Sequence, residues 1–264
     1  MPESEEKKVI LCLPARNVAK TLHLTLDEIP EDFKKHIILV DNASRDGTPQ
    51  LAREAGLKVI EHEVDRGYGG SQKTLYKTAL ADGADIVVML HPDHQYDAKV
   101  IPALVRPIIQ GEADAVFGSR MLGGHPLEGG MPVWKYNANI FLTAAANLIF
   151  QRYLTEIHSG FRAYSRKYLE TVQFEKNSNN FVFDTEIIAQ GMSCNLFFRE
   201  VPIVTRYFPE ASSINFRHSV VYGFGILWVL IRYMFHKLKV WHIPHFEPVG
   251  KETSANQTGG RVTA

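Results

Sequence analysis

Residues 85–98 read DIVVMLHPDHQYDA: an apolar run that ends at Leu90, then His91, Asp93, His94, Gln95 and Asp97 crowded around Pro92. A run of Ile, Val, Met and Leu without polar alternation suits a strand buried on both faces. VILCL (9–13), HIILV (36–40), LKVIE (57–61) and DAVFG (114–118) repeat that pattern, with helical stretches between them. The alternation predicts an α/β fold with a mostly parallel central sheet flanked by helices. In such sheets ligands sit outside the carboxyl ends of the strands, which is where the 91–97 cluster falls.

The other strand ends are polar as well. Pro14-Ala15-Arg16-Asn17 follows the first run, Asp41 to Pro49 the second, and Asp65-Arg66-Gly67-Tyr68-Gly69-Gly70 comes shortly after the third. The turn after the first strand lacks G-x-G-x-x-G, which rules out a dinucleotide fingerprint, and no G-x-x-x-x-G-K-[ST] occurs anywhere. Thr48-Pro49 reads as an N-cap followed by proline at the first helical position, and Asp97 as an N-cap before KVIPALV.

The chain has 264 residues, is 45% hydrophobic, and carries 29 basic and 29 acidic side chains, so it can build a real core and has no global field for nucleic acid. Cys12 and Cys194 lack metal-ligand spacing and read as reduced thiols of a cytoplasmic protein. The polar start MPESEEKK is neither a signal nor a transit peptide, and the polar stretch 248–264 is expected to be disordered.

In order along the chain stand LPARN (13–17), VDNASRDGT (40–48), DRGYGGSQKTL (65–75), HPDHQYD (91–97), GSR (118–120), SGFRAYSR (159–166) and EVPIVTRY (200–207). Together they resemble the motifs of family 2 glycosyltransferases, most of all the dolichol-phosphate mannosyltransferase type. The resemblance implies a GT-A fold in a single domain over 1–247, with a nucleotide-binding half at 8–118 and an acceptor half at 119–215. It also implies inverting transfer of a hexose from a nucleoside diphosphate sugar, for which UDP-glucose and GDP-mannose both suit the motifs.

By that resemblance Asp41 holds the base or ribose of the donor in company with Pro14, Arg16 and Asn17; the alternative is that Asp41 only fixes its own turn. Gly67 and Gly69 would lie against the nucleotide, with Arg66 and Lys73 as phosphate or base partners. Arg120, Lys135 and Arg206 fall where the family clamps the diphosphate, while Arg162 reads as structural. Asp93 and Gln95 offer hard oxygen ligands for Mg²⁺ or Mn²⁺. The related sequences have Asp-x-Asp-x-Gln, so His91 replaces the first aspartate. It is open to three roles: nucleotide contact, donor to phosphate, or ligand for a softer ion.

A hydroxyl acceptor needs a carboxylate base, whereas a lipid phosphate is already ionised. Glu156 with His158, or Asp184 with Glu186, could supply a base; the family's acidic pair favours the second, although Asp184 also suits a helix cap. Residues 219–241 put Phe224, Trp228, Ile231, Phe235 and Leu238 at helical spacing beside Arg232, His236 and Lys239. Val220 to Ile231 is uncharged for twelve residues, about 18 Å of helix against the roughly 30 Å of a bilayer. The segment therefore reads as an amphipathic helix on the cytoplasmic membrane face, or else as a core or dimer contact. The acceptor that follows is a polyprenyl phosphate or another lipid-linked group. A nucleotide-sugar-binding regulator, or transfer to a sugar hydroxyl, is the alternative.

Overall fold

A computed structural model describes residues 7–123, 126–207 and 216–250, without the side chains of 216–218. Its sheet has seven strands: β1 (Val9–Ala15), β2 (Ile37–Asn42), β3 (Lys58–His62), β4 (Ile86–Met89), β5 (Ala115–Ser119), β6 (Arg162–Ser165) and β7 (Phe198–Pro202). They lie in the order β3-β2-β1-β4-β6-β5-β7. β6 runs antiparallel to its neighbours β4 and β5, and every other pairing is parallel. The α/β fold with a largely parallel sheet is as expected, and the strands β1 to β5 coincide with the five apolar runs.

Successive residues of the central strands enter two separate cores, which is why those runs are continuous rather than alternating. Ile10, Cys12, Ile38, Val40, Val87, Met89 and Phe117 face one side. There they meet α3 (Gly67–Ala81), α5 (Val133–Phe150), α6 (Arg166–Thr171), α7 (Phe183–Ser193) and α8 (Phe216–Lys237). Leu11, Leu13, Leu39, Val88 and Val116 face the other side, against α1 (Leu22–Glu28), α2 (Thr48–Glu54) and α4 (Ile101–Ile109).

Asp97 does cap, accepting from the Lys99 amide at 3.0 Å. Thr48 does not: it is the first helical residue, and the Asp46 carboxylate accepts from its amide at 3.1 Å. The tail expectation falls mostly on 251–264, outside the described residues; up to Val249 the chain is held, its amide donating to the Thr171 carbonyl at 2.9 Å.

The length argument for 219–241 needs correction. α8 has 22 residues, about 33 Å at the α-helical rise, and Ser219–Lys237 is long and apolar enough to cross a membrane by length and composition. One of its faces packs on the protein. Ile226, Val229, Leu230 and Tyr233 are buried in the core that α5 and α7 share, and the Tyr233 ring meets Phe150 edge-on with centroids 4.9 Å apart. The opposite face, with Val221, Phe224, Trp228 and Leu238, is exposed.

Candidate active site

The connections change direction between β1 and β4, so the crevice outside their carboxyl ends is the place for a ligand. β1 and β2 are in register with Pro14 opposite Val40 and Ala15 opposite Asp41. This brings the two polar turns side by side. Asn17 sits at φ 55, where its amide donates to Ser44 Oγ at 2.8 Å and its Oδ1 accepts from the Arg45 amide at 2.8 Å. Asp41 is buried; Oδ2 accepts from the Ser44 amide at 3.0 Å, and Oδ1 is sealed without a partner among the described residues. Buried polar atoms are normally satisfied. Asp41 therefore does fix its turn, with one oxygen only.

Arg16, Asp41, Ser44, His62 and Asp65 line an open cleft of about 790 Å³. Asp65, which the sequence did not single out, organises it: it pairs with Arg16 and accepts from Asn42 Nδ2 at 2.6 Å and the Gly67 amide at 2.8 Å. The Gly67 amide, then Asn42 and Arg16, hold its carboxyl below the usual range against the opposing effect of burial. The visible signal was its place at the head of DRGYGG.

Arg66 precedes α3, and its amide donates to Asn42 Oδ1 at 2.9 Å. The glycines behind it meet the protein's own backbone. A Cβ on Gly69 would lie 2.4 Å from the Ser178 carbonyl oxygen, and one on Gly67, at φ +76, would lie 2.3 Å from that of Asn179. Lys73 reaches the same loop, donating to the Asn177 carbonyl and, at 2.7 Å, to Asn179 Oδ1. Glu186 also holds it, accepting from the Ser178 amide at 2.6 Å. Gly69→Ala is expected to cost about 1–3 kcal/mol by overpacking; equal urea midpoints for variant and wild type would contradict that contact.

In the 91–97 loop Asp93 is buried, with Oδ1 accepting from the Gln95 amide at 3.1 Å. Burial raises its carboxyl pKa, only partly offset by His91 and the Gln95 amide. The Gln95 carbonyl accepts from the Arg206 amide at 2.9 Å, which ties EVPIVTRY to the loop. The Arg206 guanidinium, however, forks onto Glu28, with both contacts at 2.9 Å, and donates to His94 Nε2 at 3.1 Å.

His91 lies against Tyr68, their rings 3° from parallel with centroids 5.5 Å apart, and Phe181 stacks on Tyr68 at 4.8 Å. Tyr68 Oη is 3.3 Å from His91 Nε2 and donates to Asp184 Oδ2 at 2.9 Å. Asp184 Oδ1 accepts from Gln72 Nε2 at 2.9 Å and lies 3.4 Å from Arg162 Nη1. Asp184 is thus not a helix cap. The Val182 amide before α7 is met by Asn180 Oδ1 at 2.9 Å, and the Asp184 side chain turns into the core because Arg162, buried in β6, requires a counter-charge. Arg162 also donates to the carbonyls of Ser159 at 2.6 Å and Ile157 at 2.9 Å, the structural role expected of it.

Glu156 is fully buried and already partnered. It accepts from the Arg120 amide at 2.7 Å, from Arg120 Nε at 2.8 Å and Nη2, and from Asn139 Nδ2 at 2.6 Å. Burial pushes its carboxyl up, but Arg120 outweighs this and the group stays below its usual range. His158, also enclosed, is pushed down to about 3, first by burial. Arg120 Nη1 donates to Tyr207 Oη at 3.0 Å, and Lys135 stands over the Tyr207 ring 5.7 Å from its centroid. Two expected clamps, Arg120 and Lys135, therefore meet around one buried carboxylate and one tyrosine.

A separate cluster, His236, His242 and Glu247, brings its ligand atoms within 4.8 Å of one another at the end of α8. There His236 Nδ1 accepts from the Ile243 amide at 3.1 Å. It is distinct from the 91–95 ligands that the sequence suggested.

Comparison with known proteins bears on the family and the fold. The model of "Glycosyl transferase family 2" matches residues 10–173. An uncharacterized protein of Methanocaldococcus jannaschii is 30% identical over 87% of this chain and 93% of its own. A UDP-N-acetylglucosamine–dolichyl-phosphate N-acetylglucosaminyltransferase of Methanococcus voltae is 28% identical over 86% of this chain and 96% of its own. Among solved structures, glucosyl-3-phosphoglycerate synthase of Mycobacterium tuberculosis superposes with a TM-score of 0.65 at 20% identity, over 86% of this chain and 80% of that one. At that identity the superposition establishes the fold.

Proposed function

The chain belongs to glycosyl transferase family 2 and is a nucleotide-sugar-dependent glycosyltransferase, and from that premise we propose inverting transfer of a hexose to a polyprenyl phosphate at a membrane surface. The observation that carries the choice of acceptor is the exposed face of α5 and α8. Phe141 is 64% exposed, Leu148 80%, Phe224 69% and Trp228 53%. In a chain with 29 acidic residues, neither 133–153 nor 216–241 contains one, while Lys135, Arg152, Arg217, Arg232, Lys237 and Lys239 are basic. An apolar stripe with cations alone suits a bilayer with anionic headgroups.

That face adjoins the strand-end site. Tyr222 of α8 meets Phe181 edge-on with centroids 6.5 Å apart, Phe181 stacks on Tyr68, and Tyr68 on His91. A lipid lying on α8 would present its phosphate close to the 91–97 loop. The three candidate bases are engaged, Asp184 by Tyr68 and Gln72, Glu156 by Arg120, and Glu186 by the Ser178 amide. An acceptor oxygen that is already ionised needs none of them. The name of the Methanococcus voltae relative, a transferase to dolichyl phosphate, supports the same acceptor class.

In this reading Arg16, Asn17 and Asp41 receive the nucleoside, Arg66 and Lys73 border it, and Arg120, Lys135 and Arg206 stand toward the phosphates. Arg206 would have to share its guanidinium with Glu28. Asp93, Gln95 and His91 would hold Mg²⁺ or Mn²⁺, whose charge offsets that growing on the leaving diphosphate.

The test is transfer from UDP- and GDP-hexoses with Mn²⁺ onto anionic liposomes, with and without polyprenyl phosphate. Product is expected only with the lipid phosphate, and Phe224→Glu with Trp228→Glu should abolish sedimentation and transfer while donor binding persists. Glu186→Gln should cost under about tenfold, less than a general base provides. Transfer to a soluble hydroxyl acceptor, or undiminished sedimentation of the folded double variant, would overturn the proposal.

A further inference from the structure

The tautomer of His91 follows from its neighbours. Tyr68 Oη carries one proton, and it donates that proton to Asp184 Oδ2 at 2.9 Å. Asp184 accepts from Gln72 Nε2 at 2.9 Å on its other oxygen, which also lies 3.4 Å from Arg162 Nη1. Toward His91, 3.3 Å away, Tyr68 can therefore only accept. The imidazole proton must sit on Nε2, and the lone pair is left on Nδ1.

The ring is also held in place. Tyr68 stacks on it nearly parallel, and Gly160 closes its Nε2 edge so tightly that a Cβ there would lie 2.5 Å from Nε2. The ring's hydrogen bond runs through Nε2, and Nδ1 has no hydrogen-bond partner among the described residues. His91 stands two residues from Asp93 in the same loop. A neutral imidazole with its far nitrogen hydrogen-bonded toward a carboxylate is the usual form of a metal-binding histidine.

We propose that His91 is a divalent-cation ligand through Nδ1, oriented by the Tyr68–Asp184 chain, and that it shifts the ion preference of this site from Mg²⁺ toward Mn²⁺. This rests on reading the 91–95 loop as the diphosphate-metal site. The chemical reason is that Mg²⁺ prefers oxygen ligands and six-fold hydration, whereas Mn²⁺ accepts imidazole. The positioning residue is Tyr68, and Asp184, assigned from the sequence to base or cap, acts through it.

The experiment is paramagnetic resonance of Mn²⁺ titrated into the full chain with UDP and, in parallel, GDP, together with Mg²⁺ competition. Wild type should show ¹⁴N modulation from one bound imidazole. His91→Asp should remove that modulation and lower the Mn²⁺-to-Mg²⁺ affinity ratio at least tenfold. Tyr68→Phe, which keeps the stack but loses the acceptor for Nε2–H, should weaken Mn²⁺ binding about 10- to 100-fold. Modulation that is absent from Mn²⁺-loaded wild type, or that survives His91→Asp, overturns the assignment, as does an unchanged ion ratio. Asp93→Ala separates the two levels: loss of Mn²⁺ supports the site, whereas Mn²⁺ binding that ignores both Asp93 and His91 removes the site and the ligand together.

Discussion

Arg120→Ala is expected to lower folding stability by about 3–5 kcal/mol, the range for stranding one member of a buried ion pair. Glu156 has no exposed surface, and Arg120 supplies its backbone amide, Nε and Nη2 to that carboxylate. Without Arg120 only Asn139 Nδ2 would remain as a side-chain donor, at 2.6 Å. Replacing both partners, Arg120→Met with Glu156→Leu, should recover most of the loss, because no charge is then left buried. Urea midpoints at neutral pH decide this, and a single variant within about 1 kcal/mol of wild type would contradict the pairing. The pair also bears on the proposed clamp role. Arg120 reaches Tyr207 through Nη1, at 3.0 Å, so a loss of about 10²–10³ in rate is expected only if a phosphate meets that edge as well. Rates must therefore be taken on folded protein.

Asp93→Ala is expected to abolish the metal-dependent part of donor binding and to lower transfer by at least about 10²–10³, the cost of losing one organised stabiliser of the leaving anion. Calorimetry with and without chelator measures the first effect, and donor turnover the second; equal affinity in wild type under both conditions would remove the metal from the mechanism. Stability should move the other way. Burial raises the folded-state pKa of Asp93, so the ionised carboxylate costs the fold free energy at pH values above that pKa. The cost disappears below the unfolded carboxylate range, where both states are protonated. Asp93→Asn should therefore melt higher than wild type at neutral pH, with the gap closing in acid. A loss of stability at neutral pH would show that the Gln95 amide contact, at 3.1 Å, outweighs desolvation.

Some of this is legible because the physics is local. A parallel strand buried on both faces must be apolar at every position, so β1, β2 and β4 stand out as uninterrupted runs, and the polar residues behind them mark the ligand end of the sheet. Asp97 could be assigned because a cap concerns only the next few residues. RAYS and FREVP, by contrast, carry Arg162, Arg199 and Glu200 and are four and five residues long; they are strands because β4 and β5 offer them edges.

The sequence by itself determined the fold class, the family motifs and the cluster 91–97 at a strand end, since each depends on residue types within one short window. Tertiary structure alone decided what those groups are bound to. Asp184 meets Tyr68 across 116 positions, Arg206 meets Glu28 across 178, and Arg120 meets Glu156 across 36. It likewise decided that α8 buries Ile226, Leu230 and Tyr233 while exposing Phe224 and Trp228, a division that an apolar composition cannot reveal. The physical reason is common to both cases. The charge state of a buried group and the orientation of an apolar helix are set by desolvation and by the partner that offsets it, and that partner is brought near only when distant segments fold together.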